Sequence, residues 1–235
     1  MTPSPLSISF FDPDRQLHGS ARAGATLLFQ GSSAQALPDG PGIEREGDGY
    51  RAMLAGHLAL ELEPVSEPIE LGGLSARVCR VQGEVEGTRV ECLGTAVETR
   101  EAPEWDELDA LRSVTVLAAE DHALLALARR PRGAPGHGDE LVRAQLLAEG
   151  ELLTVEDARI STVYDGEGRQ RSAGLELWLP GEDFPRRAWG QVVAGTSLEL
   201  EGLQVHAAVF AWKLEGRAAI GSYELMVRSP TPAAA

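Results

Sequence analysis

Five histidines, at positions 18, 57, 122, 137 and 206, are the residues best suited to move protons near neutral pH. Their spacing fits no metal site. The chain has no Gly-x-Ser-x-Gly elbow, Walker loop, His-Glu-x-x-His motif or Gly-x-Gly-x-x-Gly turn between strand and helix. No cofactor and no metal is therefore expected. His206 stands apart. From Leu203 to Trp212 the sequence alternates so that Leu203, Val205, Ala207, Val209 and Ala211 share one face of a strand. The other face carries His206, Ala208, Phe210 and Trp212. A neutral imidazole in that apolar row is a candidate acid or base. The competing reading is a core histidine satisfied by a backbone carbonyl. Phe210 and Trp212, joined by Trp178 or Trp189 from neighbouring strands, would wall an apolar ligand.

The element that carries His206 is repeated. Glu70-Leu71-Gly72-Gly73-Leu74 followed by Glu86-Gly87 recurs 129 residues later as Glu199-Leu200-Glu201-Gly202-Leu203 followed by Glu215-Gly216. Each copy reads as a strand, a tight Glu-Gly turn and a returning strand. Gly87 and Gly216 should then have positive φ. In this register Arg77, Cys79 and Val81 take the places of His206, Ala208 and Phe210, which makes Arg77 a further ligand-binding candidate. A strand apolar on both faces must be buried on both, one face lining an interior and the other packing on a second layer.

Gly and Pro are spread along the chain and punctuate runs of about five to ten residues, the rhythm of a many-stranded antiparallel fold. An all-β protein of two similar barrel halves is expected: residues 1–103, residues 104–228, and a disordered tail over 229–235. Turns are expected at Asp12-Pro13-Asp14, Glu46-Gly47-Asp48-Gly49, Ala119-Glu120-Asp121-His122 and Asp165-Gly166-Glu167-Gly168. Residues 38–48 and 129–138 read as long loops. Pro103 to Leu111 reads as a short acidic helical connector. Gly138 to Leu147 fits helix or strand, and its flanks favour strand.

A net charge of −15 argues against nucleic acid or an anionic membrane as partner, because phosphate recognition needs clustered Lys and Arg. No apolar run approaches the roughly 20 residues of a membrane span. The N-terminal residues have neither the basic region nor the apolar core of a signal peptide, so a cytoplasmic location is expected. Cys79 and Cys92 fall diagonally across the first hairpin, a placement that favours two buried free thiols over a disulfide.

The paired hairpins, together with Phe210-Ala211-Trp212-Lys213-Leu214-Glu215-Gly216 and Ile220-Gly221-Ser222-Tyr223, resemble the lipocalin-like superfamily of hydroxyneurosporene synthases and AttH-type proteins. That resemblance implies two lipocalin-like halves packed together, with an apolar cavity. Members include a carotenoid hydratase and relatives that guide cyclisations. The chain departs from the family at Gly94 to Arg100, which lacks the tryptophan of a Ser-Trp-Gly-x-Arg element; the nearest echo is Ala188-Trp189-Gly190. Three functions stay open: a binder of a small hydrophobic molecule; a cofactor-independent cyclase, isomerase or hydratase acting on a polyene, terpenoid or polyketide-like substrate; and a structural protein with filled barrels. Oligomeric state is not legible.

Overall fold

The structure, a computed structural model, describes residues 5–200 and 202–228. Glu201 and the tail expected to be disordered lie outside the described residues. Alternating apolar and polar residues between glycine-rich turns form nineteen strands, and the one helical element among the described residues is a 3-10 turn at His137–Asp139. The first half supplies β1 (Leu6–Asp12), β2 (Leu17–Arg22), β3 (Ala25–Gln30), β4 (Ser33–Leu37), β5 (Gly42–Glu46), β6 (Gly49–Leu54), β7 (Leu58–Pro64), β8 (Ile69–Leu71), β9 (Leu74–Val85) and β10 (Thr88–Thr99). The second supplies β11 (Leu108–Ala119), β12 (His122–Pro131), β13 (Leu141–Ala148), β14 (Glu151–Leu153), β15 (Asp157–Tyr164), β16 (Gln170–Trp178), β17 (Arg186–Leu200), β18 (Leu203–Leu214) and β19 (Arg217–Arg228).

The strand order is β4-β3-β2-β1-β10-β9-β7-β6-β5 in the first sheet, with β8 beside β9, and β14-β13-β12-β11-β19-β18-β17-β16-β15 in the second. The two orders are the same path walked twice. In each sheet a four-stranded meander is closed by the last strand of the half, which returns beside the first. The repeated hairpins hold the same register: Val85 faces Thr88 and Leu74 faces Thr99, as Leu214 faces Arg217 and Leu203 faces Arg228. Both turns have left-handed backbone at both central residues, with φ of 47° and 74° at Glu86 and Gly87 and of 51° and 85° at Glu215 and Gly216. That is the turn whose twist matches a right-handed strand pair. The strained glutamates are tied down by their side chains. Glu86 meets His57 Nδ1 at 2.6 Å, and Glu215 meets Arg186 Nη1 at 3.3 Å, where 57 and 186 are also 129 apart.

Three apolar cores follow from the alternation. Ile8, Phe10, Leu60, Cys79 and Val81 fill the inner face of the first sheet. Val114, Leu124, Leu175, Phe210, Trp212 and Tyr223 fill that of the second. Between the sheets lies a third core shared by both, with Phe11, Phe29 and Val78 meeting Leu125, Val205 and Val209. β18 accordingly buries both faces. Cys79 and Cys92 are free thiols against the first core, and burial pushes both up to about 12.

Three local expectations are corrected. The stretch from Pro103 makes only a turn, and Leu108 begins β11, because Leu108 and Ala110 pair with Pro131 and Arg130 of β12. The loop expected over 38–48 contains β5, whose residues pair with β6. The loop at 129–138 is shorter, since β12 runs to Pro131. The four expected turns lie between strands, and Leu141–Ala148 is a strand. No helix among the described residues is long and apolar enough to cross a membrane.

Candidate functional site

On the outer face of each sheet the central strands carry hydroxyls, while β9, β12 and β18 carry aliphatic groups there. In β1, Ser7, Ser9 and Phe11 point away from the core that holds Ile8 and Phe10. In β11, Ser113 and Thr115 point away from Val114 and Val116. The sheets pack these faces together, and the small side chains of Ala76 and Ala207 leave a cavity of about 510 Å³ between them. Its walls come from both halves: Leu74, Leu111, Leu127, Leu203, Val205 and Met226, with Trp105 from the connector.

Only Arg22 and Glu224 are charged among the described residues lining it. They belong to different sheets, and Arg22 Nη2 donates to Glu224 Oε1 at 2.9 Å, with side chains 31% and 15% exposed. On the floor, the hydroxyls of Ser9 and Thr95 are 2.7 Å apart and buried. The site thus offers a carboxylate, a guanidinium and a row of hydroxyls inside an apolar enclosure. That set can fix an oxygenated group and transfer a proton. No group of three or more His, Cys, Asp or Glu among the described residues is placed to hold a metal ion.

The residues singled out from sequence fall elsewhere. His206, Phe210 and Trp212 do share a face, but it is the inner face of the second sheet, while the cavity is lined by Val205, Ala207 and Val209 from the opposite face of the same strand. Phe210 and Trp212 stack at 5.1 Å and, with Tyr223, fill their own core. His206 is buried, its Nδ1 lies 2.7 Å from Ser197 Oγ, and its backbone carbonyl accepts from Gln170 Nε2 at 3.0 Å. Burial lowers its pKa, Asp165 partly offsets this, and Arg169 adds to it. Trp178 and Trp189 face outward, each under a cation: Arg159 lies 4.8 Å from the Trp178 ring and Lys213 5.5 Å from that of Trp189. They follow Leu177 and Ala188, which take the inward positions. Arg77 is half-buried and, in register with Cys79 and Val81, belongs to the inner face of the first sheet. None of the six lines the cavity.

Solved structures that match nearly the whole chain include the following three. An AttH-type protein from Nitrosomonas europaea has a TM-score of 0.60 at 13% identity, over 95% of this chain and 92% of its own. Kievitone hydratase from Nectria haematococca gives 0.56 at 10% identity, covering 97% and 89%. CghA gives 0.55 at 9% identity, covering 96% and 87%. The chain has the AttH-type, lipocalin-like fold. No family model and no curated protein matches its sequence.

Within this AttH-type fold the lining residues missed by sequence reading are Arg22, Glu224 and Trp105. Ser7, Ser9 and Thr115 alternate with apolar residues as a solvent-facing row would, and so does Glu224 between Tyr223 and Leu225. Only the second sheet's presence turns that face into an interior.

Proposed function

We propose that the chain binds a small, mostly apolar molecule in the cavity between its two sheets. The observation that carries this reading is the combination of volume and lining. A space of about 510 Å³ lies within the range of small-molecule sites, and it holds one charged pair in an otherwise uncharged wall. A chain whose sheets served only to pack would be expected to fill that space with larger side chains than Ala76 and Ala207.

The test is titration with phenylnaphthylamine, a neutral dye that brightens in apolar surroundings. Saturable binding is expected, and it should be lost in Ala207→Trp and in Ser222→Phe, each of which fills the cavity from β18 or β19. A dye that does not bind, or that binds both folded variants as tightly as the parent, overturns the reading.

A second reading, a cofactor-independent cyclase, isomerase or hydratase, is favoured specifically by Glu224. A carboxylate held by a guanidinium beside hydroxyls is equipped to deliver or remove a proton. A protein with the same fold is a hydratase. Incubation with candidate substrates followed by mass and retention comparison separates the two readings, since hydration adds a water and isomerisation shifts retention alone. Turnover abolished by Glu224→Gln with binding kept would identify an enzyme.

A further inference from the structure

We infer that the ligand of this cavity is an oxygenated molecule, with several hydroxyl or carbonyl groups along one edge, and not an unfunctionalised polyene. The inference rests on the reading of the cavity as a ligand site and specifies what that site accepts.

The polar side chains are concentrated on the four central strands. β1 and β10 bring Ser9 and Thr95 opposite each other, and β11 and β19 bring together Ser113 with Glu224 and Thr115 with Ser222. The flanking strands β9, β12 and β18 contribute Ala76, Leu127 and Val205, while β2 adds Ser20 and Arg22 at one side. The enclosure therefore has a polar floor and apolar flanks. Its hydroxyls are also incompletely used. Ser9 and Thr95 bond to each other, which engages one of their two protons and leaves the other to donate into the cavity. The hydroxyls of Ser113, Thr115 and Ser222 have no side-chain hydrogen bond to any described residue. They are only partly exposed, and they line the cavity.

A polar group that loses water without gaining a partner is penalised, whereas one that gains a partner is not. A hydrocarbon seated here would strip the floor of water and leave these hydroxyls unmatched. A ligand with oxygens on the matching edge would satisfy them while its carbon skeleton covers the flanks. Discrimination of this type, by buried polar groups against a partner lacking the complement, is stronger than discrimination by apolar contact.

The test is displacement of phenylnaphthylamine from the full chain by two molecules of one skeleton, androstane and androstanediol. Androstanediol is expected to displace the dye at a concentration at least about 10-fold lower, the worth of roughly one well-made hydrogen bond. In a Ser113→Ala/Ser222→Ala variant, and separately in Thr95→Val, that preference, taken as the ratio of the two displacing concentrations within the same variant, should shrink to about 3-fold or less. Equal or tighter binding of androstane, or a preference unchanged in both variants, overturns the inference and leaves the binding reading standing. Failure of the dye to bind the parent chain removes the site and the inference together.

Discussion

Arg22 and Arg129 occupy the same register position in the two sheets and reach across the interface in opposite directions. Arg22 faces Ser7, which faces Val97; Arg129 faces Leu111, which faces Met226, and 97 and 226 are 129 apart. Arg22 crosses to Glu224 of the second sheet, and Arg129 Nη2 donates to the carbonyl of Gly72 in the first. The internal repeat thus ties itself together with a matched pair of arms. It is broken at their targets. Glu224 occupies the place that Thr95 holds in the first half, so only one end of the pseudo-symmetric interface acquired a carboxylate.

Removing one member of the Arg22–Glu224 pair should cost more than removing both. Arg22→Met leaves Glu224, 15% exposed, facing an apolar enclosure, and should destabilise by about 1–3 kcal/mol. Glu224→Thr, which installs the residue of the equivalent first-half position, should cost less, because Arg22 is the more exposed partner and has further contacts. Urea denaturation of the two single variants and the double gives the coupling energy. A coupling near zero would make the pair incidental to cohesion between the sheets.

The hydroxyls of the cavity floor should divide into two classes. Ser9→Ala breaks a buried 2.7 Å hydrogen bond and leaves Thr95 unmatched, at a cost of about 1–2 kcal/mol. Ser113→Ala removes a group with no side-chain hydrogen bond among the described residues, and its effect should stay within about 0.5 kcal/mol of zero. Equal destabilisation by the two would assign the floor to structure.

Fold and site were not equally legible. The fold declares itself locally. A Glu-Gly turn between twelve-residue strands, repeated at a fixed offset, and a strand apolar on both faces are visible in any short window around Glu86 or Phe210. The site is a property of two faces brought together. Arg22 and Glu224 are 202 residues apart and sit in strands whose alternation looks amphipathic until the other sheet covers it. The alternation of β18 shows that both its faces are buried, but not which of them borders open space. Volume distinguishes the two: Phe210, Trp212 and Tyr223 are bulky enough to fill the second core, while Ala207 and its alternates are small enough to leave space.

Gly216→Ala and Gly87→Ala should each cost about 1 kcal/mol, purely through the backbone. Their φ values of 85° and 74° lie where an L side chain is strained, and a Cβ at either position would meet no atom within 4 Å. Asn should be tolerated better than Ala, because its short polar side chain accepts left-handed backbone. Thermal unfolding of the four variants checks the ranking; Ala as stable as Gly would mean that the turn relaxes to another type.

Stability should fall on mild acidification. Burial lowers the pKa of His206, and that of His18 despite the opposing charge of Asp12. Unfolding returns both toward their ordinary value of 6.5, so below that pH the unfolded chain binds protons that the folded chain refuses. The contribution is complete above 6.5 and is lost as pH falls from there toward the lower folded-state values. Urea midpoints measured from neutral pH downward should therefore decline, and His18→Gln/His206→Gln should flatten the decline. An undiminished slope in the double variant would place the acid sensitivity elsewhere.

The tryptophans of the second sheet should separate by face. Trp212 is 2% exposed, stacks on Phe210, and lies so close over Gly190 that a Cβ there would come within 2.6 Å of its ring. Trp212→Ala should cost about 3–5 kcal/mol, through lost burial and the cavity left behind. Gly190→Ala should cost about 1–3 kcal/mol by overpacking alone, since its backbone conformation is open to any residue. Trp189 is 52% exposed and meets Lys213 only across its ring face, so Trp189→Ala should cost no more than about 1 kcal/mol. Acrylamide quenching offers a second reading of the same contrast, with most of the accessible fluorescence vanishing in Trp189→Phe and little of it in Trp212→Phe. If Trp189→Ala proved as damaging as Trp212→Ala, the outer face of β17 would have to be covered in solution by something beyond this chain.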